Sequence, residues 1–247
     1  MQILIGCAKK MKEAPAMRGA SSFLPRFQDN AAMIASAMAA YSVDELQAIL
    51  GVSKKIAANN KLRYQAWHDE STLTPAVMAY DGIVFNKLSA ATLTPADLDY
   101  ASHHLFIASF LYGLLRPLDL INPYRLEGKV VLPAVGHQSM FDYWKPMLTD
   151  ALIEAVEADD GVLVNLASNE FRNMFDWRKV TQRLTVITPD FKVREGDRLK
   201  NVTIYAKMCR GAMTRYIITN RLTTPASLEA FTYEGFHHTT GYNFILD

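Results

Sequence analysis

The sequence lacks the motifs that identify several common classes of protein. Its two cysteines, Cys7 and Cys209, lie far apart and match neither a C-x-x-C motif nor the ligand spacing of a zinc site. None of its six histidines belongs to an H-E-x-x-H motif, and no Walker A, G-x-G-x-x-G or G-x-S-x-G motif is present. We therefore predict no metal and no cofactor, and the commonest nucleotide-binding and hydrolase motifs are excluded.

Long apolar runs are missing as well. No segment approaches the roughly 20 consecutive apolar residues that a membrane-spanning helix needs. The first ten residues, MQILIGCAKK, place the apolar stretch before the lysines, which is the reverse of a secretory signal. Half of the 247 residues are hydrophobic, enough for a sizeable core. We predict one domain over residues 1–247, in the cytoplasm, with no membrane partner and no obligate protein partner.

The net charge of only +1 hides a segregation of charge along the chain. Residues 46–68 and 198–228 contain lysines and arginines but no acid, whereas residues 147–171 contain acids but no base. A nearly neutral protein can therefore present a positive face, as proteins that bind polyanions do. The alternative is that the basic segments pack beside acidic ones and cancel.

The segment from 111 to 127, LYGLLRPLDLINPYRLE, combines charged and aromatic residues with glycine and proline. Pro117 and Pro123 fix their own φ angles and restrict the residues before them, so the segment predicts a rigid, partly buried loop. The loop holds two guanidinium groups, Arg116 and Arg125, which suit a carboxylate or phosphate ligand. We expect both to line one anion site; the alternative is a structural network of Arg, Asp and Glu.

Four segments, in order along nearly the whole chain, resemble the bacterial YaaA family of peroxide-stress proteins. They are GCAKKM near the start, the loop quoted above, VNLASNEF at 164–171 and IYAKMCRGAMTRYIITNRL at 204–222. The resemblance implies a cytoplasmic DNA-binding protein with a helix-hairpin-helix element and a positively charged cleft. It also implies a role in surviving hydrogen peroxide and in limiting damage from unincorporated iron.

A helix, a tight turn and a second helix are predicted over residues of about 42–68. S-V-D-E from Ser42 is a capping box, Gly51 ends the first helix, and Ser53 caps a helix running from Lys54 to about Trp67. The amides at the start of the second helix could hold a phosphate beside Lys54 and Lys55. This pattern is that of a helix-hairpin-helix, although Ser53 stands where a second glycine is usual. Any two helices joined by a glycine turn would give the same pattern.

The remaining patterns predict an α+β fold with a central mixed β-sheet and surrounding helices. The predicted elements include apolar strands, helices and a hairpin across 195–197. The strands include Ile3–Cys7, Pro75–Tyr80, Leu105–Phe110, Lys129–Leu132, Gly161–Leu166 and Tyr242–Leu246, and the helices include Asn30–Tyr41, Pro95–His104, Ser139–Ala158 and Met208–Arg221. Residues Ala8–Phe27 predict a long loop.

DNA, held mainly by phosphate contacts, is the predicted partner. The residues assigned to DNA or phosphate binding are Lys9, Lys10, Gly51, Ser53, Lys54, Lys55, Tyr112, Arg116, Arg125, Lys207, Arg210 and Arg215. An enzyme acting on a nucleotide or damaged nucleic acid is the alternative, with Lys9, Glu127 and Glu170 as candidate catalytic residues. Direct iron sequestration is a third possibility, for which the sequence offers few ligands. The distances between five residues distinguish a DNA-binding protein from an enzyme. If Lys9, Arg116, Arg125, Lys207 and Glu170 cluster in one pocket, the enzyme is favoured.

Basic neighbours of both cysteines could lower a thiol pKa. Burial as small, inert hydrophobic residues is the simpler expectation, because Cys7 ends an apolar strand and Cys209 lies beside a helix start. We therefore predict that peroxide protection requires neither thiol.

Overall fold

A five-stranded sheet built around the first strand forms the centre of the molecule. The computed structural model describes residues 1–12 and 23–247, and all bounds below refer to them. The strands are β1 (Gln2–Gly6), β2 (Thr74–Pro75), β3 (Leu105–Ser109), β4 (Gly113–Leu115), β5 (Leu120–Ile121), β6 (Val131–Leu132), β7 (Gln138–Ser139), β8 (Val162–Asn165), β9 (Thr185–Ile187), β10 (Asp190–Glu195), β11 (Arg198–Lys200), β12 (His237–His238) and β13 (Asn243–Leu246). The α-helices are α1 (Gln28–Ala40), α2 (Val43–Leu50), α3 (Lys54–Gln65), α4 (Ala76–Ala79), α5 (Ile83–Leu88), α6 (Pro95–His104), α7 (Met140–Glu157), α8 (Asn169–Arg172), α9 (Trp177–Arg183) and α10 (Thr203–Asn220).

The strand order of the central sheet is β4-β3-β1-β8-β9. β1 pairs in parallel with β3 and β8, and β8 in parallel with β9, so only the edge strand β4 is antiparallel. Strands covered on both faces need apolar residues throughout, which is why QILIG, LFIAS and VLVN are nearly uniformly apolar. After β1 the chain leads to β3, and after β8 it leads to β9, so the two connections diverge. A crevice at the carboxyl ends of β1 and β8 follows from this topology.

A second sheet has the order β11-β10-β13-β12 and packs beside α10. β10 and β13 are parallel, while β11 and β12 pair antiparallel with their neighbours. Phe191, Phe231 and Phe244 are buried together beneath it. Apolar residues of both sheets and of the helices join one hydrophobic core. The fold is the predicted mixed α+β type.

The predicted pair of helices at 42–68 is present. The Ser42 hydroxyl accepts from the Glu45 amide while the Glu45 side chain accepts from the Ser42 amide, which completes the capping box. Gly51 ends α2 with a φ of 60°, and the Ser53 hydroxyl accepts from the Ile56 amide to start α3. That this pair of helices is a DNA-binding helix-hairpin-helix stays a prediction.

Several element predictions were wrong or incomplete. The predicted strand Pro75–Tyr80 is a two-residue strand, β2, followed by α4, because Ala-Val-Met-Ala favours a helical turn. The region before 195 divides between β9 in the central sheet and β10 in the second. Helix α10 begins at Thr203, five residues before the predicted start. Much of the predicted loop Ala8–Phe27, residues 13–22, lies outside the described residues.

No helix in the described ranges is both long enough and apolar enough to cross a bilayer.

Candidate functional site

A cavity of about 370 Å³ opens at the carboxyl ends of β1 and β8. The apolar part of its lining, called the floor below, is contributed by the strand ends and by Phe85, Phe110, Leu166 and Phe171. The rest of the lining, called the walls, comes from 81–84 before and within α5, from 124–126, from the start of α8 and from α10. The cavity therefore occupies the crevice that the sheet topology creates.

Two glycines allow the walls to approach so closely. A Cβ on Gly6 would lie 2.2 Å from the ring of Phe171, so only glycine leaves room for that ring above the end of β1. A Cβ on Gly211 would lie 2.2 Å from the carbonyl oxygen of Val84, so α10 can approach α5 only through glycine. This contact brings Arg210, which directly precedes Gly211, and Lys207, one turn earlier on α10, to the cavity wall.

Five cationic side chains from three segments line the cavity: Lys9, Lys10, Arg125, Lys207 and Arg210. Three of them have carboxylate partners. Glu127 binds both Lys9, with Nζ 2.7 Å from Oε2, and Arg125, with Nη2 2.9 Å from Oε1. Lys10 Nζ lies 2.6 Å from Asp81 Oδ2. The predicted set of cations is thus brought together from distant parts of the chain.

Lys207 and Arg210 differ from the other three. Neither makes a hydrogen bond or an ion pair with any residue in the described part of the chain. Lys207 is exposed, whereas Arg210 is half-buried, and this burial lowers the pKa of its guanidinium against the opposing influence of Asp190. A half-buried guanidinium with free donors is suited to an anionic ligand.

The three candidate catalytic residues also surround this cavity. Lys9 and Glu170 line it, and Glu127 contacts two of its lining cations. Glu170 is exposed and forms no ion pair within the described ranges. The clustering condition is therefore met by Lys9, Arg125, Lys207 and Glu170, but not by Arg116.

Two hydroxyl groups that the sequence did not single out, those of Tyr80 and Ser109, are buried behind Tyr124, which lines the cavity. Tyr124 hydrogen-bonds through its hydroxyl to Tyr80 at 2.9 Å and to Ser109 at 2.6 Å. The Cys7 thiol lies near this network, and the Tyr124 hydroxyl partly offsets the effect of burial on the pKa of the thiol. Burial raises the pKa of the Cys7 thiol to about 12 and the pKa values of both tyrosines well above 10. The network is therefore uncharged at neutral pH.

Two predicted cleft residues lie elsewhere, which corrects the sequence-based assignment. Tyr112 is fully buried against Trp67, with ring centroids 5.4 Å apart, and its hydroxyl accepts from the Asn122 amide at 2.8 Å. Arg215 donates to the carbonyl oxygens of Leu88 and Ser89 at 3.0 and 3.2 Å. Both side chains are committed to structural contacts.

The prediction that Arg116 and Arg125 line one site is wrong. Arg116 Nη1 donates to Gln2 Oε1 at 3.2 Å and to the carbonyls of His103 and Leu105 at 3.2 and 3.4 Å. Gln2 and Leu105 are the first residues of β1 and β3, so Arg116 lies at the amino edge of the central sheet. The cavity lies at the opposite edge, about 13 Å away along a five-residue strand.

The helix pair of 42–68 contributes no side chain to the cavity wall. Lys54 pairs with Asp44 at 2.8 Å, and Lys55 is exposed at the first turn of α3. Lys61 donates to the carbonyls of Ala39 and Tyr41 at 2.6 and 2.8 Å. Arg221 similarly pairs with Asp97 at 3.1 Å. The acid-free segments are therefore partly neutralised by acids from elsewhere in the chain.

Within the described residues, no group of three or more His, Cys, Asp or Glu side chains could hold a metal ion.

Comparison with known proteins gives a consistent result. A family model described as "Peroxide stress protein YaaA" matches residues 1–240. A "UPF0246 protein" of Bacteroides thetaiotaomicron is 47% identical over 237 residues, covering 96% of this chain and 92% of the relative. A protein of the same name from Phocaeicola vulgatus is 46% identical over 244 residues, covering 98% and 96%, and another from Porphyromonas gingivalis is 43% identical over 241 residues, covering 96% and 93%.

Proposed function

Since the chain belongs to the YaaA family of peroxide stress proteins, we propose that it protects the cell against hydrogen peroxide by binding DNA in the cytoplasm. The contacts are mainly to phosphates, and binding limits iron-dependent damage to the DNA. The cavity at the carboxyl edge of the central sheet is the main contact, and the helix pair of 42–68 is a second one.

One observation carries this proposal: Lys207 and Arg210 line the cavity without a partner in the described part of the chain, beside three further cations. Around the cavity, five cations face three carboxylates, those of Asp81, Glu127 and Glu170. The surplus of positive charge attracts a polyanion, and the free guanidinium supplies paired donors for a phosphate. Phosphate contacts of this kind fix the position of DNA without reading its sequence.

Size decides how DNA could approach. A cavity of about 370 Å³ is in the range for one small molecule. A duplex must therefore lie across its mouth, where the lining lysines Lys9, Lys10 and Lys207 are exposed to solvent. Lys54 and Lys55, at the start of α3, would then contact a separate stretch of backbone.

The test is a titration of labelled duplex, single-stranded and bulged DNA at several salt concentrations. We expect Lys207→Gln to weaken all of them by a similar factor and Lys179→Gln to have no effect. Lys179 is the matched control, an exposed lysine on α9 that does not line the cavity. Charge reversal of Lys54 and Lys55 should weaken binding further and reduce its salt dependence. Unchanged affinity in every variant would contradict the proposal.

An enzyme acting on a nucleotide or damaged nucleic acid is a second candidate, favoured by a specific observation. Lys9 lies 2.7 Å from Glu127 and shares the cavity with Glu170, which forms no ion pair with residues 1–12 or 23–247. A lysine next to a carboxylate can serve as nucleophile or acid–base group. Mass spectrometry of DNA and nucleotides incubated with the parent and with Glu170→Gln tests this. A product formed only by the parent supports an enzyme, and binding without any product contradicts it.

A further inference from the structure

We infer that the cavity seats one unstacked nucleotide, with its base on the aromatic floor and its phosphate at Lys207 and Arg210. The inference deepens the proposed DNA binding and rests on it for the biological source of the nucleotide. The chemical class of the ligand is a nucleoside phosphate, either as part of a DNA strand or free.

The apolar, aromatic floor of the cavity indicates that the ligand contains a base as well as a phosphate. A groove that only follows the phosphate backbone requires cations but no apolar pocket. Here the rings of Phe110 and Phe171 are stacked, with centroids 4.9 Å apart and planes at 11°, and Phe85 and Leu166 extend the apolar surface. Aromatic side chains at the base of a small cavity provide a stacking platform for one base.

The distribution of charge indicates that the phosphate lies at the end of the ligand opposite the base, away from the cavity floor. Arg210 is half-buried and Lys207 is exposed, so the wall changes from guanidinium to ammonium as it approaches solvent. A charged phosphate held there remains partly hydrated while the uncharged base enters the apolar floor. The hydroxyl of Ser168, which has no hydrogen-bond partner within the described ranges, and the carboxylate of Glu170 lie on the wall to contact the base edge.

Seating a base this way has an energetic consequence for DNA. Taking a base out of a duplex costs a few kcal/mol, and the cost is smallest where the base is mismatched, damaged or already unpaired. The cavity therefore selects bulges, single-stranded segments and other irregular structures over intact duplex.

The first experiment uses the parent protein and free ligands. Calorimetric titration compares deoxythymidine 5′-monophosphate and deoxyguanosine 5′-monophosphate with deoxyribose 5-phosphate and inorganic phosphate. We expect both nucleotides to bind about tenfold or more tightly than deoxyribose 5-phosphate, since stacking of the base is absent from the latter. Equal affinities of all four ligands would overturn the inference.

The second experiment uses a duplex with 2-aminopurine in a one-base bulge, whose fluorescence rises when the base leaves the stack. Ile83 lines the cavity and is half-buried, so Ile83→Trp fills it without removing a cation, and Ile83→Val is the control. We expect Ile83→Trp to lose the fluorescence rise and about tenfold of the affinity for the bulge, a larger loss than for intact duplex, which lies across the mouth of the cavity. A folded Ile83→Trp protein with the parent's bulge affinity and fluorescence would contradict the inference.

The two experiments separate failure of the inference from failure of the proposed function. Nucleotide binding without any DNA binding would retain the inference, identify a free nucleotide as the ligand and reject DNA binding. DNA binding without preference for the nucleotides or the bulge would retain DNA binding and reject the inference. The free-ligand titration decides the inference even if Ile83→Trp does not fold.

Discussion

The amino ends and the carboxyl ends of the central strands, here called the amino edge and the carboxyl edge of the sheet, each carry a half-buried arginine. The two arginines have different surroundings. At the amino edge, Arg116 donates to three oxygens and its guanidinium carbon lies 3.6 Å from the centre of the Phe106 ring. At the carboxyl edge, Arg210 makes no hydrogen bond in the part of the chain that the structure describes. Residue type and burial are the same, so free donors, rather than charge, distinguish a binding group from a structural one.

Burial affects ionisation at the amino edge strongly. It lowers the pKa of Arg116 to about 10 and raises that of Asp119, whose carboxylate accepts from the Arg116 amide at 2.8 Å, to about 6. The negative charge of Asp119 partly opposes the lowering of the Arg116 pKa, and the positive charge of Arg116 partly opposes the raising of the Asp119 pKa. Charged groups that are costly to bury thus hold this edge together, so removal of one partner should destabilise the folded protein.

The largest expected effect is on the free energy of unfolding, which should respond differently to substitution of the two arginines. Arg116→Gln should lower the free energy of unfolding by about 3 kcal/mol, because the carbonyls of His103 and Leu105 lose a charged donor. Arg210→Gln, which breaks no hydrogen bond in the described structure, should change it by less than about 1 kcal/mol. Urea unfolding of both variants measures this. Equal losses would remove the distinction between the edges.

The next effect concerns pH. Asp119 has a folded-state pKa of about 6, above its unfolded value of 3.8, so its ionised form is disfavoured in the folded protein. The carboxyl group therefore stabilises the fold less as the pH rises from about 4 to 6. Asp119→Asn should match the parent's pH dependence below pH 4 and become relatively more stable above it, by up to about 3 kcal/mol at pH 7.5.

Unfolding of parent and Asp119→Asn across that pH range provides the measurement. A constant difference between the two proteins from pH 4 to 7.5 would show that Asp119 is not strained by burial.

A smaller effect is expected from releasing cations at the carboxyl edge. Glu127 neutralises both Lys9 and Arg125, so Glu127→Gln should tighten DNA binding several-fold and steepen its salt dependence. Glu154→Gln is the control, since Glu154 pairs with Arg26 outside the cavity. DNA binding that is unchanged or weaker in Glu127→Gln would mean that Lys9 and Arg125 do not face the DNA.

The smallest effect is expected for the thiols. Cys209 is buried as expected, whereas Cys7 is half-buried and lines the cavity. Desolvation raises the pKa values of both thiols to about 12, so thiolate is scarce at neutral pH. Mass spectrometry of the folded protein after mild peroxide treatment should find both thiols unmodified, and a Cys7→Ser, Cys209→Ala double variant should restore survival to a null strain. Rapid oxidation of either thiol in folded protein would contradict this.

Local signals in the sequence were sufficient for much of the fold. The capping box at Ser42 and the stop at Gly51 fixed α2 and the start of α3, because caps depend on neighbours within four residues. Uniformly apolar segments likewise identified β1, β3 and β8. The short helix α5 was missed, although its residues form one wall of the cavity.

The positions of individual cations were less predictable. Lys9, Lys10, Arg125, Lys207 and Arg210 were assigned to one surface from chemistry and family resemblance, and they do line one cavity. Arg116 and Arg215 were misplaced because their acceptors are mainly backbone carbonyls, which no side-chain pattern reveals. The Leu88 carbonyl that holds Arg215, for example, is 127 residues away in sequence.

The most direct test of the central claim, that nucleic acid binds at the carboxyl edge, compares two arginines of one helical segment. Arg210 is in α10, and Arg221, which ends it, pairs with Asp97 about 16 Å further along. The measurement is DNA affinity as a function of salt for Arg210→Gln and Arg221→Gln, which remove the same charge. The account predicts that the slope of log affinity against log salt falls by about 0.9 for Arg210→Gln and stays unchanged for Arg221→Gln. Equal slopes in the two variants would contradict it.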